Sequence, residues 1–325
     1  MIKKTKKELI FVGGFPSGGT DLLKNILNAH SSIYINGEMP FLYKLTSHLS
    51  FTLNEQYNQK EVKELLKWLS DHDIWDNLSN KENVQESVSH LGDVSDISKY
   101  HFFYELFSKK ERQVWGNKTP QNSENAELLF ELFPDSKLIV VTRDVRDVVL
   151  SWKKKWGKNP YLVADKWNRR MSQVYDLSKS DERILLVKFE DLLSNTEIMT
   201  KNICQFIGIE WEERMVNYHL HIESVVDGKI NYGQPIKSDN KQKWRAKASN
   251  KFIKKIEEIA YQGLEKLNYE IVYAEGEVPL NKVYKKYGIL QDALAMLLVG
   301  NRAKENNSIS DRFSEVYKQI KLRLN

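Results

Sequence analysis

The stretch FVGGFPSGGTDLLKNILNAH, residues 11–30, decides the fold. The run ELIFVGG (8–14) is apolar and ends in glycines, the pattern of a buried strand. From Thr20 to His30, Leu22, Leu23, Ile26 and Leu27 line one face at helical spacing. A strand, a glycine turn and a helix together make the local plan of a phosphate-holding loop. Within GFPSGGTD (14–21), Gly14 and Gly19 have the separation of the nucleotide-hydrolase loop G-x-x-x-x-G-K-[ST]. Thr20 stands at the lysine position, and Asp21 stands where a hydroxyl normally binds Mg²⁺. The frame that starts at Gly13 also lacks the lysine. What survives is a turn of glycines and a helix N-terminus, whose N–H groups and dipole attract an anion without metal. Taken alone, the turn fits a ligand-free strand-to-helix junction equally well.

Outward from the loop, SIYINGEMP (32–40) predicts a second short strand ending at Asn36-Gly37. Residues 41–112 are polar and rich in helix formers and aromatics, with weak strand signals. They read as a helical insertion with an amphipathic helix in EVKELLKWLSDHDIW (61–75). Thr119-Pro120 is an N-cap with proline at the first helical position, for a helix running through ENAELLFELF (124–133) and stopping near Pro134. KLIVVT (137–142) and ILLVKF (184–189) predict strands. Asp144 caps a helix that carries Val145, Val148, Val149, Trp152 and Trp156 on one face. TEIMTKNICQFIG (196–208) is a helix closed by Gly208, and 251–268 forms a further amphipathic helix. The alternation implies an α/β fold with a three-layer parallel sheet flanked by helices, and ligands at the carboxyl ends of the strands. The expected domains are 1–272, carrying the insertion at 41–112 on the acceptor side, and a C-terminal helical extension at 273–325.

The net charge of +5 over 325 residues suits a small anionic ligand better than nucleic acid, which calls for a denser basic stripe. A single cysteine, Cys204, excludes an internal disulfide framework and suggests a reducing compartment. The N-terminal apolar run is too short for a signal segment. GILQDALAMLLVG (288–300) is interrupted by Asp292 and too short to span a bilayer. The expected location is cytoplasmic, with no transmembrane segment. His219 and His221 lie two apart without Cys or further His nearby, so no metal is expected, and His30 reads as a capping or packing residue.

KLIVVTRDVRDVVLSWKKKW (137–156) supplies a second anchor. Arg143 ends a strand and Ser151 follows two helical turns later, a pair able to grip a second phosphate. Arg143 and Arg146 with Asp144 and Asp147 also fit a solvated helix start, and Arg146–Asp147 reads as such a surface pair.

Residues 8–270 resemble the sulfotransferases that use 3′-phosphoadenosine 5′-phosphosulfate (PAPS). The loop resembles their 5′-phosphosulfate loop, P-[RK]-[ST]-G-T-[TS], and TRDVRDVVLS (142–151) resembles their 3′-phosphate segment, R-[DN]-x-R-[DE]-x-x-x-S. The resemblance implies a P-loop kinase-like architecture and sulfuryl transfer to a hydroxyl acceptor. Adenosine 3′,5′-bisphosphate is then the product, and no metal is needed. NILNAHSSIYINGEMPFL (25–42) is most similar to the tyrosylprotein and bacterial carbohydrate branch. That branch places its catalytic base at the position of Glu38, and the implied acceptor is a carbohydrate or glycolipid. The steroid and phenol branch has a histidine after Lys-Thr; here Lys118-Thr119 is followed by Pro120.

Lys118 resembles the lysine that stabilises the bridging oxygen. The resemblance places the donor's 5′ end on the loop Pro16, Ser17, Gly18, Gly19, Thr20 and Asp21, cradled by the N–H groups of Gly18, Gly19 and Thr20. It gives the 3′-phosphate to Arg143 and Ser151. Lys155 matches a basic residue of the tyrosylprotein branch, but it also reads as one of a solvated lysine run. NKQKWRAKAS (240–249) resembles the late basic loop over the donor, with Trp244, Arg245 and Lys247 as candidates; Trp244 fits an adenine cover or a core position equally. Four residues depart from the pattern. Ser17 replaces a cation, Gly18 a hydroxyl residue, Asp21 a phosphate-binding hydroxyl and Phe189 a tyrosine. Asp21 would repel a phosphate unless it faces away or pairs with a lysine. A non-catalytic nucleotide binder and a P-loop kinase remain as alternatives.

Overall fold

The computed structural model describes residues 7–39, 42–71, 90–91, 96–108, 112–221 and 235–299. Two compact units alternate along the chain: Met1–Thr142 with Ser180–Lys237, and Arg143–Lys179 with Ser238–Asn325.

The first unit is built on β1 (Glu8–Gly14), β2 (Ile33–Asn36), β3 (Gln56–Asn58), β4 (Asp96–Ser98), β5 (Val114–Lys118), β6 (Lys137–Thr142) and β7 (Ile184–Lys188). Five of these form a sheet in the order β2-β5-β1-β6-β7, with every neighbouring pair parallel. The period-two alternation of β1 explains the layers. Ile10 and Val12 enter a core with Leu23, Ile26 and Leu27 of the helix Thr20–Ala29 and with Ile203 and Ile207 of the helix Thr196–Ile207. Phe11 turns the other way, with its ring 6.0 Å from Phe133, which in turn meets Phe103 edge-on at 5.5 Å. Leu23, Ile26 and Leu27 are fully buried; burial of such side chains stabilises by about 1.5–3 kcal/mol each. That packing fixes the helix behind the glycine loop.

The insertion is less purely helical than its composition predicts. Helices Leu42–His48, Gln59–Asp71 and Lys99–Phe107 are joined by an antiparallel pair of three-residue strands, β3 and β4. Strands this short carry no readable alternation. The helix in EVKELLKWLSDHDIW buries Val62, Leu65, Leu66, Trp68 and Leu69, and residues 72–75 lie outside the described residues. Thr119-Pro120 opens a 3₁₀ turn, Pro120–Ser123, and the helix proper starts at Ala126. Thr119 does not cap it, because its hydroxyl is engaged elsewhere.

In the second unit, the helix Val145–Trp156 buries Val145, Val148 and Val149 completely, while Trp152 and Trp156 are half-buried. The 21-residue helix Pro160–Ser180 is an element that sequence reasoning missed. Its start is capped by Asn159, whose Oδ1 accepts from the N–H groups of Tyr161 and Leu162 at 3.0 and 3.3 Å. The expected single helix over 251–268 is two, Asn250–Ile259 and Tyr261–Lys266. The Gly263 N–H donates to Asn168 Oδ1 at 2.7 Å instead of continuing the ladder, and Gly263 lies so close to Trp167 that a Cβ would approach its ring to 2.7 Å. The C-terminal helix is Lys282–Val299, and 300–325 lie outside the described residues. Among the described residues, no helix is long and apolar enough to cross a membrane.

Arg146 is not the surface residue that its sequence neighbours suggest. Its side chain is 2 % exposed. It donates bidentately to Asp144, at 2.8 and 2.7 Å, and to Glu257 at 2.6 Å. Glu257 is fully buried and also accepts from the N–H groups of Val272, Tyr273 and Ala274. A charge this deep needs all its partners. Glu257→Ala is therefore expected to destabilise the protein by about 3–5 kcal/mol in urea unfolding; a loss below ~1 kcal/mol would show that the cluster is solvated.

Candidate functional site

Three neighbouring strands deliver the first group of side chains. β1 runs out at Gly14 into the glycine loop, β2 ends two residues before Glu38, and β5 ends on Lys118. In the order β2-β5-β1, their carboxyl ends lie side by side.

The loop turns sharply. The Gly18 N–H donates to the Phe15 carbonyl at 2.8 Å, so it closes the turn. Ser17 adopts φ 67° and Gly19, the helix N-cap, φ 101°. Gly19 has a second reason to be glycine, since a Cβ there would lie 2.2 Å from Cδ2 of Phe189. Phe189, one of the departures from the resemblance, is thus a buried platform beneath the loop. Thr20 begins the helix, 3 % exposed, and Asp21 follows. The first N–H groups of a helix have no intrahelical acceptor, so this end favours an anion.

Asp21 turns to a lysine. Its Oδ1 lies 2.6 Å from Lys118 Nζ, and Glu38 Oε1 lies 2.8 Å from the same nitrogen. The Lys118 side chain is 5 % exposed, against 42 % for Asp21 and 52 % for Glu38. Burial opposes the Lys118 charge, but the two carboxylates outweigh it and hold the ammonium above the ordinary lysine range. Lys118 stays protonated through neutral pH.

A buried polar network positions this group, and sequence reasoning missed it. The Met39 N–H, next to Glu38, donates to Thr119 Oγ1 at 2.8 Å, and that hydroxyl donates to Asn117 Oδ1 at 3.0 Å. Asn122 Nδ2 donates to Asn117 Oδ1 at 3.1 Å and to the Val12 carbonyl at 3.0 Å. The signal was present in GNKTPQN (116–122), a run of polar residues at the end of a buried strand.

The second group belongs to the second unit. Arg143 Nη2 donates to the Asn240 carbonyl at 3.2 Å. Asp144 caps the helix through the Arg146 N–H at 2.9 Å. Ser151 is half-buried on this helix; Lys155 is exposed and lies 4.5 Å over the Trp156 ring. Trp244 is 2 % exposed. Its Nε1 donates to Asp144 at 3.1 Å, its N–H to Asp147 at 2.9 Å, and Arg146 lies 4.0 Å from its ring centroid. Of its two sequence readings the core position is the one observed. Burial pushes the Asp147 carboxyl up, against the pull of Arg143 and two backbone N–H groups. Arg245 is partly exposed and pairs with Glu270 at 2.5 Å, and Lys247 is exposed. Among the described residues, no group of three or more His, Cys, Asp and Glu is arranged to hold a metal ion.

With this geometry in view, comparisons with known proteins give the fold first and then the family. The Synechococcus olefin synthase sulfotransferase domain shares the fold, with a TM-score of 0.56 at 20 % identity over 84 % of this chain and 99 % of that one. Residues 9–213 match the model of the Sulfotransferase family. The chain belongs to that family. A putative protein-tyrosine sulfotransferase of Caenorhabditis briggsae is 26 % identical over 231 residues, 68 % of this chain and 72 % of that one. Protein-tyrosine sulfotransferase 2 of Gallus gallus is 24 % identical over 221 residues, 65 % and 53 % of the two chains. An uncharacterized protein of Aquifex aeolicus is 25 % identical over 285 residues, 80 % of this chain and 33 % of that protein. The chain thus spans a third of the Aquifex relative and about half of the chicken enzyme.

Gly19→Ala tests the loop geometry. A left-handed backbone costs an L-residue about 1–2 kcal/mol and overpacking about 1–3 kcal/mol. The substitution is expected to destabilise by about 2–5 kcal/mol in urea unfolding, and by ~1–3 kcal/mol less in a Phe189→Ala background, where only the backbone cost remains. Equal losses in both backgrounds would exclude Phe189 as the wall of the loop.

Proposed function

We propose that this chain moves a sulfuryl group from PAPS to a hydroxyl acceptor, by in-line displacement. The observation that carries the reading is the convergence of Glu38, Lys118 and an anion-favouring helix start at three adjacent strand ends. The donor supplies an activated sulfur with adenosine 3′,5′-bisphosphate as leaving group. The residues of the chain supply the rest. The loop with Gly19 and Thr20 N–H groups holds the 5′ end, beside Pro16, Ser17 and Gly18. Arg143 and Ser151 take the 3′-phosphate, with Lys155, Arg245 and Lys247 as further cations. Glu38 takes the proton of the acceptor hydroxyl as the new S–O bond forms. Lys118 neutralises charge on the bridging oxygen as the old S–O bond breaks. The Thr119–Met39 hydrogen bond keeps the Glu38 backbone in register with Lys118, the positioning such a reaction requires.

The acceptor is a carbohydrate or glycolipid hydroxyl on the resemblance of residues 25–42. The names of the Caenorhabditis and Gallus relatives favour a second reading, tyrosine in a peptide. The loop lacks the lysine and the Mg²⁺-binding hydroxyl that a kinase uses, which argues against phosphoryl transfer from ATP.

Incubation with sulfur-labelled PAPS and a panel of oligosaccharides, glycolipids and tyrosine peptides tests both readings, and label on one class is the expected result. Glu38→Gln is expected to lower kcat on that acceptor by about 10²–10⁴. Full turnover by Glu38→Gln would remove Glu38 as the base. Donor binding without transfer to any acceptor would instead identify a non-catalytic nucleotide binder.

A further inference from the structure

Asp21 occupies a position where its charge works against an anionic ligand. It lies in the first turn of the helix Thr20–Ala29, whose N-terminus attracts negative charge. Its carboxylate lies 2.6 Å from Lys118 Nζ, closer than Glu38 at 2.8 Å. Lys118 is a buried cation at this loop, so an arriving anion meets an ammonium already flanked by two carboxylates. One positive and two negative charges leave the cluster at −1. Asp21 can yield, because its side chain is 42 % exposed and can turn to water. Glu38 carries the second contact with Lys118 and keeps the ammonium paired when Asp21 leaves.

We propose that Asp21 is an internal competitor for Lys118, a carboxylate that stands in for the anionic group of the ligand and sets the affinity for it. The proposal rests on the donor reading above only for the identity of that anion. On binding, the anion takes the Lys118 contact and the Asp21 carboxylate moves to solvent; no bond is made or broken. Asp21 thereby weakens donor and product binding alike, and a less tightly held bisphosphate product leaves faster.

Titration calorimetry with inorganic pyrophosphate and with adenosine 3′,5′-bisphosphate tests this on the wild type, on Asp21→Asn, on Lys118→Met and on the double variant. Asparagine keeps the shape and the exposed site, so folding is not at stake. Asp21→Asn is expected to bind pyrophosphate about tenfold more tightly, the scale of one charge-assisted contact that is no longer competed for. That gain should fall below about twofold when Lys118 is methionine, because the contact competed for is gone. Equal or weaker pyrophosphate binding by Asp21→Asn overturns the proposal and makes Asp21 a support for Lys118. A gain that persists undiminished without Lys118 also overturns it, leaving plain repulsion at the helix end. Tighter pyrophosphate binding with no nucleotide binding by any variant would uphold the Asp21 assignment and reject the donor.

Discussion

Lys118 is a cation buried at the end of β5 with a carboxylate on either side, and the geometry of the candidate site follows from its need for partners. An ammonium taken out of water is costly unless it is paired at close range. Here the partners come from beyond the strands on both sides: Glu38 from after β2 and Asp21 from the first turn of the helix that follows β1. The sheet order makes that possible, because β5 lies between β2 and β1. The Thr119, Asn117 and Asn122 network then fixes the backbone on which Glu38 sits. A single charge thus organises three loops that are distant in sequence.

The same constraint recurs in the second unit. Arg146 is surrounded by Asp144, Glu257 and the face of Trp244, and Glu257 is held by three backbone N–H groups as well. The cluster ties the start of the helix Val145–Trp156 to the short helix Trp244–Lys247 and to the helix Asn250–Ile259. Arg143 precedes the cap and Ser151 lies two turns beyond it, so the spacing of the proposed 3′-phosphate pair is set by a helix whose first turn is locked. Trp244 is part of that lock, with both its N–H groups donating to Asp144 and Asp147.

The strands and helices with strong periodicity were readable from the sequence alone: ELIFVGG, KLIVVT, ILLVKF and the amphipathic helices after them. Glu38 was readable as a candidate from the end of its predicted strand and from the family resemblance, and Lys118 from the resemblance alone, since β5 was not read as a strand. What escaped depends on tertiary pairing. β3 and β4 are three residues each and exist through their partners. The break at Ala260 follows from Asn168, 95 positions away, taking the Gly263 N–H. Burial of Arg146 needs Glu257, which no local pattern links to it. The long helix from Pro160 did carry a local signal, the Asn159-Pro160 cap, and its weak amphipathicity hid it. The direction of Asp21 also depended on pairing, since a lysine 97 residues on decides it.

On the function proposed, the loop serves a nucleotide bearing a 3′-phosphate and an anionic 5′ end, held without metal. Competition between nucleotides for the wild-type protein in the presence of a chelator addresses it most directly. Adenosine 3′,5′-bisphosphate should bind at one site per chain and outcompete adenosine 5′-monophosphate at least about tenfold, the worth of one or two charge-assisted contacts to the 3′-phosphate. Chelator should leave that affinity unchanged. Indifference to the 3′-phosphate, or a requirement for Mg²⁺ with preference for ATP, would contradict the assignment.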